Sequence, residues 1–288
     1  MERIARWSVR PLLELPAPAA RRALDALATV GGSVPGVPAE PWRSGSLRGE
    51  LLTPDGVSGP PRILYLHGGA YRVGSPRSHR GIAAAIAAHA GTPACVLDYR
   101  LAPEHPAPAA FDDVVEACVA LTERAQAPPA LAGDSAGSGL ALACAVAARD
   151  AGAPRPPGLA LISPWVDMTL SGPSVSVNDR RDAMLSRAAL DRGAAAYAGT
   201  VGRGDPRCSP LFAELTGLPP MLIQVGSAEV LLSDAEALAE RAGAAGVEVE
   251  LEVGEGLWHD YQGFAGFLRE GREALERMGR WVGARLAG

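Results

Sequence analysis

The stretch Ala130-Leu131-Ala132-Gly133-Asp134-Ser135-Ala136-Gly137 decides how this chain is read. Its opening is a short apolar run of strand type, and Ala136 begins an alanine-rich segment, 136–150, that reads as a helix. The junction between them is Gly-x-Ser-x-Gly. A chain that leaves a strand and enters a helix within a residue or two reverses so sharply that a Cβ at either glycine would strike neighbouring backbone. Ser135, between the two, would stand clear of the sheet. The turn therefore reads as a mount for a nucleophile, against the plainer reading of a glycine-rich strand–helix connection.

Elsewhere β-like runs alternate with helix-length stretches. The strand candidates are 62–67, 94–99, 130–133, 159–163, 221–226 and 247–253, with an edge strand near 47–53. Helices are expected around 78–90, 107–125, 136–150, 234–245 and 262–286. Such alternation specifies an α/β fold, a mainly parallel central sheet with helices on both faces. Two segments stand outside it, residues 1 to about 45 and about 166–218. No repeat and no linker divides the chain, so 1–288 is expected to be one domain carrying these segments as a small helical cap.

Composition narrows the function. Of 288 residues, 48% are hydrophobic and 20% charged, which is ordinary globular usage and excludes a disordered chain. The 27 basic residues, all Arg, are outnumbered by 32 acidic ones and form no block, which argues against nucleic acid as a partner. The longest uncharged stretch, Gly81 to Leu97, is too short and too broken to span a bilayer. Arg3, Arg6, Arg10 and Pro11 interrupt the N-terminus, so no secretory signal is read there. Cys95, Cys118, Cys144 and Cys208 lack CxxC or metal-ligand spacing. They read as reduced thiols of a cytoplasmic protein, and neither metal nor organic cofactor is expected.

A nucleophilic serine needs oxyanion donors, a base and an acid. His67-Gly68-Gly69-Ala70-Tyr71 closes the first central strand, where backbone N–H groups can face a carbonyl oxygen, and Ala136 offers a further N–H just after the serine. Of the five histidines only His259 follows Ser135, on a loop after the last β-like run; His67 reads as a brace for its own loop, and His79, His89 and His105 as structural or exposed. Glu229, two residues beyond the apolar run Met221–Gly226, is preferred as the acid. Asp234 stays open as the alternative, although Ser233 with Glu236 reads as a capping box that would place Asp234 in the first turn of a helix.

On these residues the chain resembles the hormone-sensitive-lipase family of α/β-hydrolase esterases, the bacterial family IV carboxylesterases. The resemblance runs through His67-Gly68-Gly69-Ala70, Asp98-Tyr99-Arg100-Leu101-Ala102-Pro103-Glu104-His105-Pro106 continuing to Asp113, Gly133 to Gly137, Asp205-Pro206-Arg207-Cys208-Ser209-Pro210-Leu211 and the Glu229 and His259 loops. It implies a Ser135–Glu229–His259 triad, oxyanion donors at Gly68 or Gly69, Ala70 and Ala136, and a scaffolding role for 98–113. It also implies a serine esterase for small carboxylic esters that works without metal or cofactor. A homodimer is compatible with it. Two features depart from the family pattern: Ala70 stands where a third Gly is usual, and Ala228 replaces an acidic residue. The same triad would also serve a deacetylase, an amidase or an acyl transferase, and a non-catalytic hydrolase-like receptor is the rival from another class.

Overall fold

The computed structural model describes residues 10–13, 15–31 and 34–288; Arg3, Arg6 and Trp7, in the segment expected to form part of the cap, lie outside them. In chain order come α1 (Arg10–Leu13), α2 (Ala17–Gly31), β1 (Ala39–Ser44), β2 (Leu47–Leu52), β3 (Ile63–Leu66), α3 (Pro76–Ala90) and β4 (Ala94–Leu97). Next are α4 (Ala109–Ala125), β5 (Ala130–Asp134), α5 (Ala136–Asp150), β6 (Leu159–Ile162), α6 (Ser174–Val177) and α7 (Arg187–Ala198). The chain closes with β7 (Met221–Gly226), α8 (Leu232–Ala244), β8 (Val249–Gly254) and α9 (Arg269–Ala287).

The eight strands form one sheet in the order β1-β2-β4-β3-β5-β6-β7-β8. From β4 to β8 every pairing is parallel, and β1 and β2 close one side antiparallel. Side chains alternate between two cores, as strand geometry requires. Ile63, Tyr65, Val96, Ala132 and Ile162 pack with α3 and α9. Leu64, Leu66, Leu97, Leu131 and Leu161 face α4, α5 and the inserted segment. Helix α5 is buried on all sides from Ala136 to Val146, which accounts for its lack of a polar face. At the start of α3, Pro76 occupies the first turn while Ser75 and Ser78 exchange a capping box; Gly91, with φ 65°, stops the helix.

Strand β7 matches its expected span, and the other expected strands agree within three residues at either end. Three differences matter. Residues 39–44, expected in the cap, are β1 of the sheet, because Trp42 turns inward and the strand pairs with β2 from Ala39↔Leu52 to Ser44↔Leu47. The last helix begins at Arg269, not Gln262; a 3₁₀ turn, Tyr261–Phe264, precedes it. Thirdly, Ser233 does not cap α8. Leu231 holds the N-cap of α8, while Ser233 Oγ accepts from Ser174 N and its N–H donates to Ser174 Oγ.

Segment 166–218 leaves the sheet after β6 and closes on itself: Leu211 N–H donates to Val166 O and Met168 N–H to Ser209 Oγ. Tyr197 of α7 stacks on Tyr71 with ring centres 3.9 Å apart, joining the insertion to the loop after β3. Helix α2 is tied to the same edge through Arg21, which donates to Arg72 O, Ala102 O and both Glu104 oxygens. Both segments thus lie over the carboxyl ends of the parallel strands, where open α/β sheets bind ligands.

Candidate active site

Ser135, Glu229, His259 and the 67–71 stretch lie on turns and loops at that carboxyl edge, and Ala136 opens α5 there. Ser135 directly follows β5 at φ 51°, ψ −117°, a conformation costly for a non-glycine residue and imposed by its surroundings. Its N–H donates to Ile162 O, and its carbonyl accepts from Trp165 N. The two flanking glycines are demanded by close approach: a Cβ on Gly133 would sit 2.7 Å from Leu66 O, and one on Gly137 only 1.9 Å from it.

Two further loops converge on the serine. His259 Nε2 lies 3.0 Å from Ser135 Oγ, and His259 Nδ1 lies 3.0 Å from Glu229 Oε2. The other Glu229 oxygen accepts from Ser163 Oγ at 2.7 Å and from Gly226 N at 2.6 Å, which leaves Oε2 for the imidazole. Gly226 lets the β7 and β8 loops meet, since a Cβ there would come within 2.2 Å of Leu257 O. Burial pushes the Glu229 carboxyl up to about 6, although His259 beside it works in the opposite direction. For His259 burial alone would lower the imidazole; the carboxylates of Asp260 and Glu229 outweigh it and hold the ring well above its ordinary value.

Gly69 and Ala70 pass no N–H to a carbonyl of the described residues, so both donors are open to an oxyanion. Their loop is held from behind. His67 Nδ1 contacts Gly68 O at 2.8 Å, Tyr99 Oη donates to His67 O at 2.6 Å, and the His67 and Tyr99 rings stack at 4.2 Å. The 98–113 segment adds Arg100, paired with Asp113, and Ala102, whose N–H donates to Tyr71 O.

A family model for the alpha/beta hydrolase fold matches residues 63–263. An acetyl-hydrolase of Streptomyces hygroscopicus is 44% identical over 223 residues, 76% of this chain and 74% of that protein. An esterase of Acinetobacter venetianus is 38% identical over 266 residues, 91% of this chain and 88% of its own. Among solved structures, an esterase of the bacterial hormone-sensitive-lipase family superposes with a TM-score of 0.91 at 37% identity, covering 96% of this chain and 95% of that one. This chain is an α/β hydrolase of the hormone-sensitive-lipase family.

In this hydrolase Ser135, His259, Gly69 and Ala70 line a cavity of about 90 Å³. Its apolar side is Leu24 of α2 with Met184, Leu185 and Ala189 of the insertion. Of the other large apolar residues in and beside the insertion, Trp165, Met168, Leu190 and Tyr197 are packed into the core and Phe212 is exposed. A larger open depression of about 380 Å³, near Trp42, Glu50 and Asp98, contains none of the reacting groups. Ala70 keeps φ 53°, the left-handed conformation that a third glycine would adopt without strain.

The rival acid, Asp234, is buried far from the imidazole relay in bonding terms. Its Oδ2 accepts from Val166 N and Asp167 N, both at 2.9 Å, and so pins the first residues of the insertion. His79, expected to be structural or exposed, is half-buried in α3: its Nε2 lies 3.2 Å from Asp134 Oδ2, off the line of a well-formed hydrogen bond, and it borders the cavity. Sequence reading missed Ser163, which has no motif and comes to Glu229 only by strand order. It also passed over Asp260, although a carboxylate adjoining the base is visible in the chain.

Proposed function

We propose that this hydrolase is a serine carboxylesterase acting on short- to medium-chain carboxylic esters through an acyl-enzyme. The Ser135 Oγ–His259–Glu229 relay, 3.0 Å at each link on a backbone-enforced turn, carries this reading. His259 takes the Ser135 proton as Oγ attacks the ester carbonyl; the tetrahedral oxyanion is met by N–H groups of Gly68 or Gly69, Ala70 and Ala136. The imidazolium returns its proton to the departing alkoxide. Water, activated by the same imidazole, then attacks the acyl-serine and releases the acid. Glu229 holds the Nδ1–H tautomer and stabilises the ring once it is charged.

The 90 Å³ cavity and the acetyl-hydrolase among the relatives favour a small acyl group. Residues 10–31 and 166–218 together form the cap, which ends before Ala39 on its N-terminal side. Four free, buried cysteines suit a reducing, cytoplasmic setting. Hydrolysis of p-nitrophenyl acetate to dodecanoate, with phosphonate labelling, tests the reading. Ser135→Ala should abolish both labelling and at least ~10⁴-fold of kcat; retained turnover in that variant, or loss of wild-type activity to a chelator, would reject it.

A further inference from the structure

The nitrogen that serves Ser135 has a second neighbour. Asp260 Oδ2 lies 3.1 Å from His259 Nε2, nearly as close as Ser135 Oγ at 3.0 Å. Asp260 occupies the left-handed region at φ 52°, its N–H donates to Ser163 Oγ, and its Oδ1 is buried with no hydrogen-bond partner among the described residues. With Glu229 taking the Nδ1–H, a neutral ring presents a lone pair at Nε2. A carboxylate 3.1 Å from that nitrogen, although off the line of a hydrogen bond, opposes the neutral ring's lone pair and favours the protonated ring. We propose that Asp260 is a positioning residue for His259: in the resting enzyme its carboxylate, beside Nε2, holds the protonated ring over Ser135 and raises the pH at which the base becomes free.

This rests on His259 being the base, as read above. The other groups around the pair are accounted for. Ser135 from the β5 turn and Glu229 from the β7 loop bond to the ring, and Asp182 lies electrostatically behind Glu229. Asp134 at the end of β5, Tyr65 of β3 and His79 of α3 act on Asp260 through space. Burial raises the Asp260 carboxyl above its ordinary value while His259 draws it down, so the pair competes for one proton instead of forming a fixed ion pair. In the catalytic cycle that proton must leave before Nε2 can accept from Ser135 Oγ.

Asp260→Asn removes the charge while keeping a residue type that tolerates the left-handed conformation. The midpoint of the rising limb of kcat/KM against pH should fall by about one unit, since an opposite charge at this distance favours the charged ring. In a Ser135→Ala background, NMR titration of the His259 imidazole should show the same displacement on adding Asp260→Asn. A merely structural residue would lower kcat and leave both midpoints in place, and that result overturns the proposal. If Asp260→Asn does not fold, Asp260→Gly, which also accepts the left-handed conformation, is compared in the Ser135→Ala background: a His259 midpoint that falls supports the proposal, and one left in place overturns it. Activity surviving Ser135→Ala would sink the base assignment itself, a different failure from an unmoved midpoint.

Discussion

On the serine side of the active site the backbone leaves no spare room. Leu66 O, Gly133 and Gly137 are so close that one methyl group at either glycine overlaps the neighbouring chain. On the histidine side, the groups are held by side-chain hydrogen bonds: Ser163 and Gly226 N–H fix one oxygen of Glu229, the other meets His259, and Asp234 pins the insertion at Val166 and Asp167. The first construction transmits any defect into the fold, because packed backbone cannot yield locally. The second separates chemistry from stability, residue by residue.

Gly137→Ala gives the largest expected effect. Its Cβ would lie 1.9 Å from Leu66 O, and overpacking at that depth costs ~3 kcal/mol or more, so soluble yield, thermal midpoint and activity should fall together. Wild-type thermal stability in this variant would show that the turn can open, and the contrast between the two sides would collapse.

Glu229→Gln should act in the opposite manner. Volume is conserved, but the amide favours the wrong imidazole tautomer and leaves the imidazolium without its counter-charge. In a well-studied serine protease the equivalent change cost about 10⁴ in kcat, and at least ~10² is expected here. Circular dichroism and thermal midpoint should stay near wild type. A loss of activity that merely tracks unfolding would place Glu229 with the structural residues.

Asp234→Asn should be the mildest and should leave kcat within a few fold. Burial pushes the Asp234 carboxyl up to about 7. A raised carboxyl contributes its stability below the unfolded value of about 3.9 and loses it as pH rises through the folded value. Urea denaturation from pH 5 to 8 should therefore show the wild-type advantage over Asp234→Asn narrowing with rising pH, by at most ~1.4 kcal/mol per unit. A gap that stays constant would mean that Asp234 is ionised throughout, and a dead Asp234→Asn enzyme would exchange the roles of the two carboxylates.

The same contrast explains how much could be read in the chain. Gly133-Asp134-Ser135-Ala136-Gly137 is legible because the strand, turn and helix are contiguous and the steric demand falls on residues two apart. The core strands are legible because being buried on both faces requires continuous apolar runs. Strand β1 was overlooked: Ala39-Glu40-Pro41-Trp42-Arg43-Ser44 is an edge strand with a proline and exposed charges, and carries little of that signal. Ser233 and Glu236 misled because their spacing fits a helix cap, whereas a partner 59 residues away, Ser174, claims the hydroxyl.

What the sequence by itself determined is the alternation of elements, the sharp turn at Ser135, the glycine-rich loop after β3 and, through chain order, His259 as the candidate base. These rest on local sterics and on the period of apolar residues, which a linear chain displays. Only tertiary structure set Glu229, and not Asp234, against His259, brought Ser163 to Glu229 across 66 residues and to Asp260 across 97, and placed Asp260 beside His259 Nε2. The parallel strand order gathers distant loops at one edge, and burial there makes each carboxylate depend on partners that neighbouring sequence does not specify.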